Sequence, residues 1–255
     1  MLYTPETRTR LVHDYRQADR RLLLLDYDGT LVTFFEKPEE ARPGEELLHL
    51  LSRLAADTNN EVVLLSGRDR ETLEEWFGTV NMSLVAEHGA WLKEKDWEMI
   101  EPLTNDWKGQ VRPILDLYTK ETPGAFVEEK EFSLVWHYRK ADPELSATRV
   151  REMIDGLREA TADQSLQILQ GNKVVEIKNL GIDKGRAALR WIKRERWGLI
   201  LALGDDRTDE DMFRVLPESA YSLKVGLGRS AAKYNLETQA EVLPLLGSLI
   251  SPAMS

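Results

Sequence analysis

The sequence predicts an α/β protein: a doubly wound parallel-sheet core into which a smaller α+β cap module of αββαββ order is inserted. Three observations carry that expectation. Residues 22–25, 62–65 and 199–203 are short apolar runs, the composition of strands buried on both faces of a parallel sheet. Each run ends in a polar cluster and alternates with a helical stripe, which implies βαβ units. Between the second and third runs, several strands alternate polar and apolar residues, the pattern of a sheet packed on one face only. The core is therefore expected over 1–102 and 181–255, and the inserted module over 103–180.

In chain order, residues 7–20 read as a polar helix before the first strand. That strand ends in Asp26-Tyr27-Asp28-Gly29-Thr30. Side chains alternate along a strand, so Asp26 and Asp28 point one way and Tyr27 the other. Two carboxylates at the end of a buried strand are unfavourable unless a cation compensates them. A proline-punctuated loop covers 34–44, and leucines at 47, 48, 50, 51 and 54 mark a helix. The second buried strand ends in Ser66-Gly67-Arg68, with a helix over 69–77 after it. Both polar tips fall at the carboxyl edge of the sheet, where such folds bind ligands. A strand and hairpin over 83–100 carry Glu87 and His88.

The inserted module is expected as a helix over 105–120, strands over 125–129 and 132–139, a helix over 143–160, and strands over 166–169 and 173–178. Phe132, Leu134, Trp136 and Tyr138 would form its buried face, with Ser133, Val135 and His137 opposite. A helix then begins at Asp183-Lys184-Gly185 and runs to about residue 196. The third buried strand ends in Gly204-Asp205-Asp206-Arg207-Thr208-Asp209. Thr208 and Asp211 are spaced as a capping box. A strand near 220–225 and a helix near 240–250 finish the core.

Composition narrows the chemistry. There is no cysteine, which excludes disulfides, thiolate zinc sites and a cysteine nucleophile. The four histidines lie far apart, so carboxylates are the expected metal ligands and Mg²⁺ the expected ion. A net charge of −10 argues against nucleic acid as a partner. No apolar run approaches the ~20 residues of a membrane span. The opening residues lack a basic stretch followed by an apolar one, so a cytoplasmic location is expected.

Magnesium takes one or two carboxylates plus substrate phosphate, and Asp26, Asp28 and Asp205 meet that demand. Asp26, fixed at the strand tip, suits attack on phosphorus, and Asp28 suits proton transfer. Ser66 and Lys184, with amides of the Gly29 turn, suit the phosphoryl oxygens.

These residues resemble the haloacid dehalogenase-like phosphatases: DYDGT over 26–30, Ser66 after the second strand, Lys184, and GDD with a further Asp over 204–209. The segments LLSGR, AEHGAW, FVEEKEFSLVWHYR, NKVVEIK and ALGDDRTDEDMF are similar to the trehalose-6-phosphate phosphatase family over about residues 20–230. The resemblance implies that Asp26 is the nucleophile and Asp28 the acid/base. It implies that Asp26, Asp205 and the main-chain carbonyl of Asp28 surround Mg²⁺, with Asp206 and Asp209 bracing them from behind. Thr30, Ser66, Gly67 and Lys184 would bind phosphate. The substrate's sugar would be read by Glu128, Lys130 and Glu176 of the module, with Arg68, Glu87 and His88 on the core. Without the resemblance, Glu128, Lys130 and Glu176 read as ordinary solvated strand charges. The family's usual Asn before the lysine is Asp183 here, which either weakens phosphate binding or caps the helix. The segment preceding DYDGT resembles that of synthase–phosphatase fusions, which implies a trehalose-6-phosphate synthase domain or partner. The alternatives are a phosphatase for a sucrose or glucosyl-glycerate phosphate, and a non-catalytic regulatory domain.

Overall fold

The computed structural model describes residues 1–35 and 37–251, so Glu36 of the loop over 34–44 lies outside the described residues. The chain divides into two units, Met1–Ile100 with Asp183–Ser255, and Glu101–Ile182. The first begins with α1 (Pro5–Gln17), β1 (Arg21–Asp26), α2 (Glu45–Ala56), β2 (Asn60–Leu65), α3 (Arg70–Phe77), β3 (Ser83–Ala86), β4 (Trp91–Lys93) and β5 (Trp97–Met99). The second consists of α4 (Lys108–Glu121), β6 (Phe126–Glu129), β7 (Ser133–His137), α5 (Pro143–Ala160), β8 (Leu166–Gln170) and β9 (Val174–Asn179). The first unit then resumes with α6 (Lys184–Ile192), β10 (Leu199–Gly204), α7 (Arg207–Arg214), β11 (Tyr221–Val225), β12 (Tyr234–Leu236) and α8 (Val242–Ile250).

The larger sheet has the order β12-β11-β10-β1-β2-β3-β4-β5. It is parallel from β12 to β3 and ends in the antiparallel hairpin strands β4 and β5. β1 lies inside it, and Leu22, Leu23, Leu24 and Leu25 have no exposed surface. Burying each such side chain contributes roughly 1.5–3 kcal/mol. From β1 the chain winds outward through β2 and β3, and after the insertion it returns on the other side as β10, β11 and β12. The winding reverses between β1 and β10, the place where open α/β sheets form a ligand crevice.

α6 ends at Ile192, short of the expected 196. The Trp197 indole N–H donates to the Trp191 carbonyl at 2.9 Å and satisfies the helix end there. β12 has no counterpart in the sequence-based expectation, since three residues are too few for a periodic signal. Among the described residues, no helix is long and apolar enough to cross a membrane.

The second unit has the order αββαββ, with an antiparallel sheet β6-β7-β9-β8. Leu134, Trp136, Val175 and Ile177 pack with Val111 and Leu115 of α4 and with Val150, Met153 and Leu157 of α5. Strand alternation therefore turns Ser133, Val135, His137, Glu176 and Lys178 to the face without helices. α5 starts where proline predicts, and the Asp142 carboxylate caps it by accepting from the amides of Glu144 and Leu145.

Candidate active site

At the end of β1 the chain splits its side chains between core and crevice. Tyr27 turns inward, fully buried, with its ring edge-on to Phe77 at 5.3 Å between centroids. Its hydroxyl donates to the Ala41 carbonyl at 2.6 Å. Asp26 turns the other way and is also buried. Gly29 follows at φ 84°, and a Cβ there would run into the Asp205 carboxylate. Only glycine permits both that backbone and that approach.

Lys184 crosses from the start of α6 to tie the end of β1 to α7. Its ammonium donates to Asp26 Oδ1 at 2.5 Å and to Asp209 Oδ1 at 2.8 Å, with all three residues buried. Asp183 beside it caps α6, its carboxylate accepting from the Arg186 amide at 2.7 Å. The expected box of Thr208 with Asp211 is replaced by Asp206 with Asp209, because α7 starts immediately after β10. Asp209 Oδ2 accepts from the amides of Asp205 and Asp206 at 2.8 and 3.0 Å. Asp209 thus braces both the lysine and the aspartate turn. Lys224 adds its ammonium to the Asp205 carbonyl.

Carboxylate oxygens of Asp26, Asp205 and Asp209 all lie within 4.8 Å of one another. Burial pushes the Asp26 carboxyl up to about 8, with Lys184 opposing and Asp205 adding to the rise. Burial likewise pushes Asp205 up to about 7, with Asp206 and Asp209 reinforcing it. For Asp206, burial is outweighed by Lys184 and by hydrogen bonds from Thr208, and its carboxyl falls to about 2. For Lys184, burial opposes the charge but Asp209 and Asp26 hold the ammonium well above its usual range. Among the described residues, Asp26 Oδ2, Asp205 Oδ1 and Thr30 Oγ1 are buried without a hydrogen-bond partner. One lysine facing several buried carboxylates leaves negative charge uncompensated, and the two open carboxylate oxygens are hard donors. That donor set fits Mg²⁺.

Asp28 faces elsewhere. Arg68 holds both of its carboxylate oxygens, Nε to Oδ2 at 2.9 Å and Nη2 to Oδ1 at 2.6 Å. The guanidinium lies over the rings of Trp76 and Tyr27 at 4.6 and 5.6 Å from their centroids. The Ser66–Arg68 turn is laced to the turn after β3. The Ser66 hydroxyl accepts from the Arg68 amide, the His88 amide donates to the Ser66 carbonyl, and the Glu87 amide donates to the Arg68 carbonyl. Glu87 and His88 adopt left-handed backbone, φ 46° and 57°, and a Cβ on Gly67 would meet the His88 ring. The structure thus joins Ser66, Gly67, Arg68, Glu87 and His88 into one turn cluster beside Asp28.

Glu128, Lys130 and Glu176 belong to the second unit, and Glu128 and Glu176 stand in register either side of Val135. The Lys130 ammonium lies 3.8 Å from Glu128 Oε1. Glu128 Oε2 lies 2.7 Å from His137 Nε2, and the His137 ring stacks on Phe126 with centroids 4.5 Å apart. Sequence reasoning placed His137 on this face without a partner. Only strand pairing, with Phe126 opposite His137, shows that it sits beside Glu128.

A model of the trehalose-phosphatase family matches residues 24–241. The bifunctional trehalose-6-phosphate synthase/phosphatase of Thermoproteus tenax is 42% identical over 245 residues, which cover 95% of this chain and 34% of that protein. The trehalose-phosphatase of Saccharomyces cerevisiae is 32% identical over 286 residues, covering 94% of this chain and 32% of that protein. The chain spans about a third of the length of the curated relatives it matches. The C-terminal domain of the C. albicans trehalose-6-phosphate phosphatase has the same fold, with a TM-score of 0.90 at 32% identity over 97% of this chain and 98% of that one. The strand-end aspartates, the lysine that ties β1 to α7 and the inserted αββαββ unit thus come together in a chain that belongs to the trehalose-phosphatase family.

Proposed function

We propose that this chain hydrolyses trehalose 6-phosphate to trehalose and phosphate, through an aspartyl-phosphate on Asp26 and with Mg²⁺ as cofactor. The observation that carries the reading is the Asp26–Lys184 pair beside an unpartnered oxygen on each of Asp26 and Asp205. Family membership supports the substrate. Asp26 attacks phosphorus, the bond from phosphorus to the sugar oxygen breaks, and Asp28 gives its proton to that oxygen. Water then yields a proton to Asp28 and attacks the acyl phosphate, which releases phosphate and restores the Asp26 carboxylate. Both Asp28 oxygens are engaged by Arg68, so Asp28 has to leave that pair to reach the leaving oxygen. Lys184, Ser66, Thr30 and Gly67 hold the phosphoryl oxygens, whereas the Gly29 amide, expected to assist, is spent on the Val32 carbonyl at 2.8 Å. Asp26, Asp28 through its carbonyl, and Asp205 would hold Mg²⁺, with Asp206 and Asp209 supporting them, and the ion would supply neutralisation of phosphoryl charge.

Glu128, Lys130 and Glu176 read the sugar, since carboxylates accept from hydroxyl groups and lysine donates to them. Arg68, Glu87 and His88 complete the substrate contacts. The name of the Thermoproteus tenax relative, a bifunctional synthase/phosphatase, supports a synthase domain or partner as the source of substrate.

Phosphate release from trehalose 6-phosphate, sucrose 6-phosphate, a glucosyl-glycerate phosphate and glucose 6-phosphate tests the reading, each with Mg²⁺ and with a chelator. Trehalose 6-phosphate is expected to turn over fastest, with loss under the chelator and recovery on adding Mg²⁺. Faster release from another sugar reassigns the substrate. No release from any favours a regulatory domain.

A further inference from the structure

The helix-free face of the inserted sheet holds a lysine, Lys178, that this mechanism leaves unused. Register lays the face out in rows. Glu128, Val135 and Glu176 form one row across β6, β7 and β9. In the next row Ser133 stands opposite Lys178. The Lys130 amide donates to the Ser133 carbonyl at 3.0 Å, which places Lys130 on the other side of Ser133. Two carboxylates therefore flank Val135, and beside them two lysines flank Ser133.

Lys178 is 2% exposed. Among the described residues its ammonium has no hydrogen-bond or ion-pair partner. The Ser133 hydroxyl is also buried without a partner among the described residues. The buried Ser133 hydroxyl carries a desolvation penalty in that state, and beside it the stem of Lys178 is buried while its ammonium keeps contact with solvent. Apolar residues would fill the same positions at lower free energy, as Val135 does in the neighbouring row. What this pair offers instead is donors. A sugar hydroxyl both donates and accepts; Glu128 and Glu176 serve only its donor side.

We propose that Lys178, with Ser133, is a further substrate-binding pair that donates to sugar hydroxyl oxygens. The proposal rests on the sugar-phosphatase reading above and extends its sugar-reading set from one row of the sheet to two.

The test uses the full chain with Lys178→Met, Ser133→Ala and Glu176→Ala, measuring KM and kcat on trehalose 6-phosphate and on p-nitrophenyl phosphate, together with Tm. Lys178→Met is expected to raise KM for trehalose 6-phosphate at least about tenfold, the scale of a lost charged hydrogen bond. The rise for the aryl ester, which has no hydroxyls to bind, is expected to be much smaller. Tm should hold, because methionine fills the space of the buried lysine stem. Ser133→Ala should raise KM about threefold in the same direction. Lys178→Arg, which keeps the charge in a similar volume, should recover part of the affinity and serves if the methionine variant does not fold. An unchanged KM, or a lower Tm with equal losses on both substrates, overturns the proposal. If Glu176→Ala raises KM while Lys178→Met and Lys178→Arg do not, this pair alone is wrong. If the unsubstituted chain does not turn over trehalose 6-phosphate, the function reading fails and takes the pair with it.

Discussion

At the ends of β1 and β10, buried charge is held by other buried charge, whereas on the helix-free face of the inserted sheet strand register sets where each charge stands. In the core, Lys184 bonds Asp26 and Asp209, and Asp209 takes two backbone amides as well. Lys184 and Asp209 each have their place set by two or more other groups, so that part of the cluster is fixed before any ligand arrives, which is what transition-state stabilisation requires. On the sheet face, Glu128, Glu176 and Lys178 owe their common side to period-two alternation and their spacing to strand pairing. Core chemistry should therefore respond to substitution in an all-or-none way, and the sheet face in increments.

The largest effect should come from Asp26→Asn. The amide keeps the shape but cannot attack phosphorus, so turnover of both trehalose 6-phosphate and p-nitrophenyl phosphate should fall by roughly 10³ or more, with a native circular dichroism spectrum. Substantial activity would remove the covalent mechanism and, with it, the contrast between the two regions. Next, Lys184→Met strips the cation from Asp26 and Asp209. Breaking a buried pair from one side destabilises by about 3–5 kcal/mol, which chemical denaturation would read directly. A negligible loss would mean that the cluster is not held by its charges. The smallest effect should be Glu176→Ala: about a tenfold rise in KM for the sugar phosphate, with less change on the aryl ester. Equal losses on the two substrates would put Glu176 in the chemistry rather than in recognition.

The core was largely legible because its signals are local. The leucines at 22–25 and the run at 199–203 announce buried strands, and DYDGT and GDD sit where those strands end. The Asp206–Asp209 capping box was misplaced by two residues, since Thr208–Asp211 fits the same spacing and only the start of α7 decides between them. Contacts between distant residues were not legible. Nothing in the spacing of Asp28 and Arg68 shows that the guanidinium holds both carboxylate oxygens while lying over Trp76. The left-handed turn at Glu87 and His88 was also invisible, because glutamate does not favour positive φ and one histidine beside it is too weak a signal. On the inserted sheet, alternation gave the faces correctly, but the rows required knowing that β7 lies between β6 and β9.

The pairing of β1 with β10 also bears on how the molecule is made. Arg21 lies beside Leu199, and the whole inserted unit is translated between them. As the chain emerges from the ribosome, β1 can pair with β2, but its other edge stays bare until residues 199–203 appear. A hydrophobic strand with an unpaired edge is a template for pairing with other chains. The inserted unit, whose contacts lie close in sequence, can fold during that interval. Nascent chains stalled between residues 182 and 199 should therefore be the most aggregation-prone species along the route, and the ones on which chaperones act.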